Sequence, residues 1–282
     1  MSETPLIALL AALGSAMAHA GMTLFTKQAR DMLVFRAVTM SICAILMIPV
    51  LVLAPFPPWE AWRFLLLGAV IIWAFNMLMI SAMTRGQMNL VYPVMRGAAP
   101  ALAGLFAVIV LNEPLSPLSM AGLALASAAL VAFAWPERGG APKAAALAFA
   151  LSAAVMTASY TVNDASGVRA AGSTLSYLAW FFVLSAATLT ATAVIRRGRR
   201  FVVQARPELR RAALSSLFNI TTYGLALYAL SMAPVAPVAA VRETSIVFGA
   251  ILAALVLKEP FGVRRALLAA ALVGALALLH VG

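Results

Sequence analysis

The chain has 282 residues, of which 64% are hydrophobic and only 10% are charged, and its mean hydropathy is +1.00. Soluble domains are nearer half apolar and a quarter charged, so this composition excludes a water-soluble enzyme, a DNA-binding domain and a disordered protein. The net charge of +11 does not indicate a nucleic-acid partner, because the basic residues lie between the apolar runs, where they set membrane topology. The sequence predicts a polytopic membrane protein.

Ten apolar runs, each long enough to cross a bilayer as a helix, follow one another along the chain with short connections. The alternating pattern of a membrane β-barrel is absent, so we predict an all-α membrane protein with ten transmembrane helices. The first run lacks a positively charged leader and is interpreted as a retained helix, not a cleaved signal. The predicted spans cover residues 5–25, 35–54, 61–83, 89–111, 116–134, 142–162, 173–195, 209–231, 235–257 and 262–281.

Cysteine and histidine are too scarce for metal or redox chemistry. Cys43 is the only cysteine, which excludes an intramolecular disulfide, and His19 and His280 are the only histidines. No Gly-x-x-x-x-Gly-Lys loop for ATP is present. We therefore expect no metal and no cofactor, and no use of ATP as an energy source.

The basic residues predict an orientation in the membrane. All but four of the 20 lysines and arginines, including Arg36 and the seven arginines between Arg196 and Arg211, are assigned to one set of alternate loops. The positive-inside rule places these loops in the cytoplasm of a bacterial inner membrane, with both termini periplasmic. We expect the arginine-rich loop to contact anionic lipid. The four exceptions are Arg63 and Arg169 in the opposite loops, and Arg96 and Arg242 within spans.

The chain contains an internal repeat at an offset of 146 residues, at which Arg96 falls on Arg242 and Asn112-Glu113-Pro114 on Lys258-Glu259-Pro260. Five spans in each copy reverse the second copy, so the repeats are inverted, an arrangement typical of transporters with a central site. The repeat favours transport over catalysis. We predict a first five-helix repeat over residues 1–140 and a second over 141–282.

Ten spans in under 300 residues, a five-plus-five repeat and a Glu-Pro pair after spans four and nine resemble the drug/metabolite transporter superfamily (DMT), and within it the EamA-type members. Among these, the chain is most similar to bacterial exporters of aromatic amino acids. The resemblance implies a ten-helix basket around a central cavity, alternating access and export of amino acids or similar metabolites. The chain departs from many members in its predicted periplasmic termini.

Ionisable residues within spans are the first candidates for substrate contact, because burying them in a membrane is costly. Arg96 or Arg242 could hold a carboxylate through two parallel hydrogen bonds, or could instead bond nearby carbonyls or snorkel to the interface. His19 could relay protons or simply bond a neighbouring helix. Glu243 could pair with an arginine of another helix.

Polar and aromatic residues on spans three and eight predict the rest of a cavity wall. Trp73 and Asn76 share one helix face, as do Asn219, Thr222 and Tyr223, and the repeat sets Asn76 against Thr222. Trp and Tyr also form belts at membrane interfaces, which is the alternative for this group. The predicted substrate-binding residues are Arg96, Arg242, Trp73, Asn76, Tyr92, Asn219, Tyr223, Trp180 and His19, with Tyr160 and Asn163 as further candidates.

Prolines and glutamates predict structural features of spans four and nine. Pro93 and Pro100 remove backbone donors inside span four and are predicted to make it a hinge, whereas span nine should be straighter. Glu113 and Glu259 precede prolines at helix ends, where we expect them to fix the turn or pair with basic groups.

These features predict an inner-membrane exporter for aromatic and other large apolar amino acids. A monomer is compatible with this prediction. Other metabolites, or lipophilic drugs and cations, are the alternatives within transport; the apparent lack of an embedded carboxylate besides Glu243 favours amino acids. From other classes, the alternatives are an intramembrane hydrolase using Ser15 and His19, and a non-catalytic scaffold.

Overall fold

The computed structural model of the chain describes residues 5–27, 29–85, 88–134, 144–249, 251 and 263–281, with the backbone alone at 24, 27, 88–94, 133–134, 265 and 280–281. Every regular element within these ranges is helical, and none is a strand. The helices are α1 Leu6–Lys27, α2 Met32–Leu46, α3 Ile48–Leu53, α4 Trp59–Arg85, α5 Met88–Leu111, α6 Pro117–Ala134, α7 Ala144–Ala171, α8 Thr174–Arg197, α9 Arg200–Ala205, α10 Leu209–Met232, α11 Val235–Glu243 and α12 Val263–Val281.

The helices follow the predicted spans, and the all-α membrane class is confirmed. Each predicted span falls mainly on helix where the structure describes it, with exceptions at span ends and at the breaks of Met47 and Thr244. Of the described stretches, five are long and apolar enough to cross a bilayer on their own: Leu6–Thr23, Trp59–Arg85, Ala144–Ala171, Thr174–Arg197 and Arg200–Met232. Shorter apolar helices fill the positions of other spans, at Met32–Leu46, Met95–Leu111, Pro117–Ala132 and Ala266–Leu279.

Local sequence explains where several helices begin and end. The Asp31 carboxylate accepts hydrogen bonds from the backbone N–H groups of Leu33 and Val34, which caps α2. Asn112 ends α5 at a φ of 54°, a left-handed conformation that asparagine tolerates better than most residues. α2 and α3 are separated at Met47, two residues before a proline that cannot continue the hydrogen-bond ladder.

α7 is longer than predicted: it continues to Ala171, whereas span six was expected to end near residue 162. Asp164 and Arg169 both lie beyond the predicted end of the span, but both find partners within the bundle. Arg169 therefore lies in the last turn of α7, not in a loop, and donates to the backbone carbonyls of Leu230 and Ala233. This is a correction of the predicted loop assignment.

The helices pack with a pseudo-two-fold relation between the two halves of the chain. α1 packs on α10, and the equivalent helix of the second half, α7, packs on α4. Likewise α2 packs on α10, and its counterpart α8 packs on α4. Three further pairs join a helix to its own counterpart: α2 with α8, α5 with α11, and α6 with α12. Because each half holds five spans, the relation joins halves of opposite orientation. The predicted boundary between residues 140 and 141 lies outside the described residues and stays a prediction.

Close contact between α6 and α12 depends on glycine. A Cβ atom at Gly122 would lie 2.8 Å from the Ala275 carbonyl oxygen, so a larger residue would force the helices apart. Buried alanines and leucines of both helices fill the contact. Helices α1, α2, α4, α5, α7, α8, α10 and α11 enclose the central cavity.

Candidate functional site

A central cavity lies between helices of both halves, and its volume is about 90 Å³. It is lined by α1, α2, α4, α5, α7, α8, α10 and α11. Its polar and charged lining residues are His19, Thr23, Thr26, Arg36, Arg96, Tyr160, Asn219, Thr222, Tyr223 and Arg242, and its apolar lining residues are Met22, Met32, Met40, Ile72, Phe75, Met79, Met83, Met95 and Phe181.

Arg36 is a cavity residue that sequence reasoning assigned to a loop. It lies one turn inside α2, is buried, and its Nε donates to Asn76 Oδ1 at 2.9 Å. The Asn76 amide nitrogen in turn donates to the Ile72 carbonyl at 2.7 Å. Asn76 was predicted to line the cavity. It is instead fully buried behind Arg36, and it orients the Arg36 guanidinium. The sequence signal was ambiguous because Arg36 lies only four residues from the start of the helix.

Arg96 is held in a cluster that joins three helices. Its Nη1 lies 3.0 Å from Glu243 Oε1 of α11, and its Nη2 contacts His19 Nε2 of α1. Both members of the ion pair are largely buried, with side-chain exposures of 12% and 8%. The second carboxylate oxygen, Glu243 Oε2, is buried and has no hydrogen-bond partner among the described residues. The cluster ties the two repeats together beside the cavity.

Arg242 lines the same cavity in a different setting. It lies in the last turn of α11, just before a turn at Thr244 interrupts the helix, and the chain is helical again at residues 245–249. Within the described part of the chain, its guanidinium makes no hydrogen bond and no ion pair. Discontinuous helices mark substrate sites in many transporters. A planar fork of donors at such a break can take a carboxylate or phosphate group.

The apolar wall of the cavity is rich in methionine. Six methionines line it, and all of them come from the first half of the chain. On the opposite side, the rings of Phe181 and Tyr223 stack at a centroid distance of 4.1 Å and an interplanar angle of 14°. Unbranched thioether side chains adapt to differently shaped apolar groups. The wall can therefore accommodate an apolar side chain next to the arginines.

Several other predicted residues also lie at the cavity. Asn219, Thr222 and Tyr223 of α10 line it together, as predicted from their spacing, and so does Tyr160 of α7. The Asn219 amide nitrogen lies 3.6 Å from the sulfur atoms of Met40 and Cys43. Its amide oxygen accepts no hydrogen bond from any described residue, so it remains available as an acceptor.

Trp73 and Trp180 lie elsewhere, which corrects their predicted placement. The Trp73 indole is 37% exposed and donates to Thr192 of α8 at 2.9 Å. Trp180 packs against Trp62 and Phe56 near the start of α4, with centroid distances of 4.9 Å and 5.5 Å. Helical spacing grouped Trp73 with Asn76 but could not tell which sector of α4 faces α8. Asn163, a further candidate, donates to the Phe64 carbonyl instead of lining the cavity.

The structure describes only part of the predicted proline hinge in α5. The side chains of Tyr92 and Pro93 lie outside the described residues, and Pro100 is buried. α5 runs as a continuous helix past both prolines, whereas the helix that begins at Val235 is interrupted at Thr244. Continuity of a helix does not measure its bend, so the hinge at Pro93 and Pro100 and the straighter course of span nine stay predictions.

Asp164 is a buried carboxylate that sequence reasoning missed. It is 2% exposed within α7, and Tyr177 of α8 donates to its Oδ1 at 3.0 Å. Tyr223 of α10 donates to its Oδ2. Glu243 is thus not the only carboxylate inside the bundle, and the expected lack of embedded carboxylates besides Glu243 is wrong. An aspartate close to an apolar stretch was the available signal, but it lies two residues beyond the predicted end of span six and was not considered.

Glu113 pairs with a basic group, as expected. Its Oε1 accepts from Arg169 at 2.8 Å, and its Oε2 accepts from the Val235 backbone N–H at 2.7 Å, at the start of α11. Glu259 lies outside the described residues. In the described ranges, no three His, Cys, Asp or Glu side chains cluster as metal ligands.

The geometry around Ser15 does not form a hydrolase site. Ser15 is fully buried, and its hydroxyl donates to the Thr222 carbonyl at 2.6 Å, not to His19. Thr222 in turn donates to the Ser15 carbonyl. These reciprocal bonds fix α1 on α10, while the His19 Nε2 atom faces Arg96. Ser15 therefore has a packing role.

Comparison with known proteins shows the family to which this chain belongs. The sequence model of the EamA-like transporter family matches residues 6–135 and again residues 144–281. A solved crystal structure matches with a TM-score of 0.74 over 96% of this chain and 97% of its own, at 18% identity, which shows a shared fold alone. A search of the curated proteins finds no match. Because the family match covers nearly the whole chain, the chain belongs to the EamA-like transporter family of the drug/metabolite transporter superfamily, whose members are membrane transporters and not enzymes.

Proposed function

We propose that this transporter exports amino acids with large apolar side chains, and that Arg242 binds their carboxylate. The observation that carries the proposal is the Arg242 guanidinium, which faces the cavity without a partner among the described residues. A hydrogen bond to a charged group contributes about 1.5–3 kcal/mol, and a bidentate arginine–carboxylate pair adds geometric selectivity.

The charge of the cavity wall favours a carboxylate over a cation. The lining residues include Arg36, Arg96 and Arg242, whereas the two carboxylates nearby, Glu243 and Asp164, are engaged and do not line the cavity. A lipophilic cation would meet a net positive charge, because three arginines line the cavity and only two carboxylates lie nearby. The preference for amino acids thus rests on the arginines and no longer on a lack of buried acids.

The distribution of wall residues suggests how an amino acid would lie. The methionines of the first half offer an apolar surface for the side chain, and the second half offers Arg242, with Asn219 and Tyr223 nearby. The Asn219 amide oxygen and the Tyr223 phenol oxygen can accept hydrogen bonds from an ammonium group. The volume of about 90 Å³ is far below the roughly 300–1,000 Å³ of pockets for drug-sized ligands, which favours a small metabolite over a large drug.

The transport cycle follows from the two repeats. Rocking of the inverted halves about the cavity would expose it alternately to the two sides of the membrane. The Arg96–Glu243 pair joins the halves and must loosen or move with them during this motion. Location in a bacterial inner membrane, periplasmic termini and a monomeric state remain predictions.

Counterflow in proteoliposomes tests the proposal. Vesicles containing the purified protein are loaded with unlabelled phenylalanine or tryptophan, and labelled compound is added outside. We expect saturable entry of the labelled aromatic amino acid, weak entry of threonine, and none of a nucleotide sugar or tetraphenylphosphonium. The matched control is Trp73→Phe, which alters an aromatic residue outside the cavity and should leave counterflow unchanged.

Two results would contradict the proposal. Exchange of tetraphenylphosphonium or the nucleotide sugar alone would replace amino acids as the substrate class. Aromatic counterflow with wild-type affinity in Arg242→Met would keep the substrate and remove Arg242 as its anchor.

A further inference from the structure

Asp164 occupies a position that the proposed substrate site does not use. It is almost completely buried within a membrane-spanning helix, two turns before the end of α7. Among the described residues it forms no ion pair, and its hydrogen-bond donors are the neutral phenols of Tyr177 and Tyr223. Burying an ionised carboxylate in a membrane is expensive, and such residues often mark ion or proton pathways.

The groups around Asp164 come from α4, α5, α8, α10, α11 and its own helix, and no described charged side chain forms an ion pair with it. α8 presents Tyr177, α10 presents Tyr223, and α4 presents Gly68, where a Cβ would lie 3.5 Å from Oδ1. Tyr160 of the same helix and Arg242 of α11 lie within electrostatic range. Further away, α5 presents Arg96, which is engaged with Glu243 and His19.

Tyr223 connects this buried carboxylate to the cavity. Its ring lines the cavity, and its hydroxyl donates to Asp164 Oδ2. A hydronium ion in the cavity can give its proton to the Tyr223 oxygen while the Tyr223 hydrogen passes to Oδ2, and a neutral water molecule is left behind. This leaves Tyr223 neutral and Asp164 protonated, so charge and atoms balance.

The protonation state of Asp164 reverses the hydrogen bond of Tyr223. When Asp164 is ionised, Tyr223 must donate to it, and the lone pairs of the phenol oxygen remain as acceptors for an ammonium group in the cavity. When Asp164 is protonated, it can donate to the phenol oxygen, and the Tyr223 hydrogen turns to the cavity. A donor in that place repels an ammonium group. Binding of a proton therefore opposes binding of an amino acid.

We propose that Asp164 and Tyr223 form a proton-binding switch through which the transporter exchanges a proton for an amino acid. The inference rests on the proposed function, because it requires an ammonium group at Tyr223. Mutually exclusive binding of proton and substrate in one alternating-access cavity gives antiport. The proton gradient across the membrane then drives export.

The test separates exchange from proton-driven transport in the same vesicles. Counterflow of labelled phenylalanine needs no net proton movement, whereas uptake into vesicles made two pH units more acidic inside does. A 1:1 exchange can drive accumulation up to about 100-fold under this gradient, since each tenfold gradient carries an equal free energy. We expect wild-type protein to accumulate phenylalanine at least about tenfold, with an alkaline shift of an internal pH dye.

Three variants identify the switch. In Asp164→Asn, counterflow should persist at a reduced rate while accumulation driven by the pH gradient disappears. Tyr223→Phe removes only the connecting hydroxyl and should also abolish accumulation, and it serves where Asp164→Asn fails to fold. The matched control is Tyr177→Phe, which removes the other phenol donor, on the side away from the cavity, and should keep gradient-driven accumulation.

Each remaining outcome decides against the inference in a recognisable way. Wild-type counterflow without any response to the pH gradient would overturn the switch and leave the proposed function intact. Accumulation retained in both Asp164→Asn and Tyr223→Phe would overturn these residues as the proton site. A wild-type protein with no amino-acid counterflow would remove the proposed function and this inference together.

Discussion

The two halves of the bundle contribute different chemistry to one cavity. The first half supplies all six methionines of the described wall, and the second supplies Asn219, Thr222 and Tyr223. The same contrast separates the two repeat-related arginines: Arg96 is engaged with Glu243 and His19, whereas Arg242 has no partner among the described residues. The same residue type at two repeat-related positions can thus have different roles, because its neighbours differ.

The largest expected effect follows from removing Arg96, the arginine that is engaged with Glu243. Arg96→Met leaves the buried Glu243 carboxylate without its cation, and removing one partner of a buried pair costs about 3–5 kcal/mol. The free energy of unfolding, measured by denaturant titration of purified protein in detergent, should fall by that amount. The double variant Arg96→Met/Glu243→Met should regain most of it, because no uncompensated charge remains. Wild-type stability in the single variant would show that the pair contributes nothing.

The second prediction concerns the other arginine. Arg242→Met should leave stability within about 0.5 kcal/mol and weaken phenylalanine binding about 10- to 100-fold, as expected for loss of a hydrogen bond to a charged group. Arg242→Lys should restore only part of the affinity, because an ammonium cannot form the bidentate pair. Competition in the counterflow assay measures the phenylalanine affinity of both variants, and denaturant titration measures their stability. A loss of stability without a loss of affinity would make Arg242 equivalent to Arg96 and end the contrast.

The smallest expected effects compare Asn76 with Thr222, which the repeat makes equivalent. Asn76→Leu removes the acceptor of the Arg36 Nε–H and should cost about 1–3 kcal/mol, because a buried charged donor is left unsatisfied. Thr222→Val removes one hydroxyl that donates to the Ser15 carbonyl and should cost about 1 kcal/mol. Denaturant titrations of both variants give the ranking, and equal losses would remove the distinction.

Apolar periodicity was sufficient to predict the helices, since a chain in lipid has few ways to satisfy its backbone. It failed where a polar side chain found a partner far along the chain. Asp164 resembled a helix end because hydropathy cannot register hydrogen bonds from Tyr177 and Tyr223. Arg36 resembled a loop residue because its acceptor, Asn76, lies 40 positions away.

The candidate site was predictable to the extent that it depends on charge within spans. Arg96, Arg242 and His19 were singled out by the cost of burying them, and all three line the cavity. The faces of α4 and α8 depend instead on helix rotation, which spacing alone leaves undefined. Trp73 and Trp180 were therefore placed on the wrong surfaces.

The methionine wall has a consequence for damage to the protein. Peroxide and related oxidants convert methionine to its sulfoxide, a polar group that replaces an apolar thioether. If substrate passes through the cavity, as we propose, oxidation of the wall would add oxygen dipoles to the transport path itself. Six such sulfurs around one cavity make this half of the protein sensitive to redox stress, and repair by sulfoxide reductases would require access to residues that lie inside the membrane.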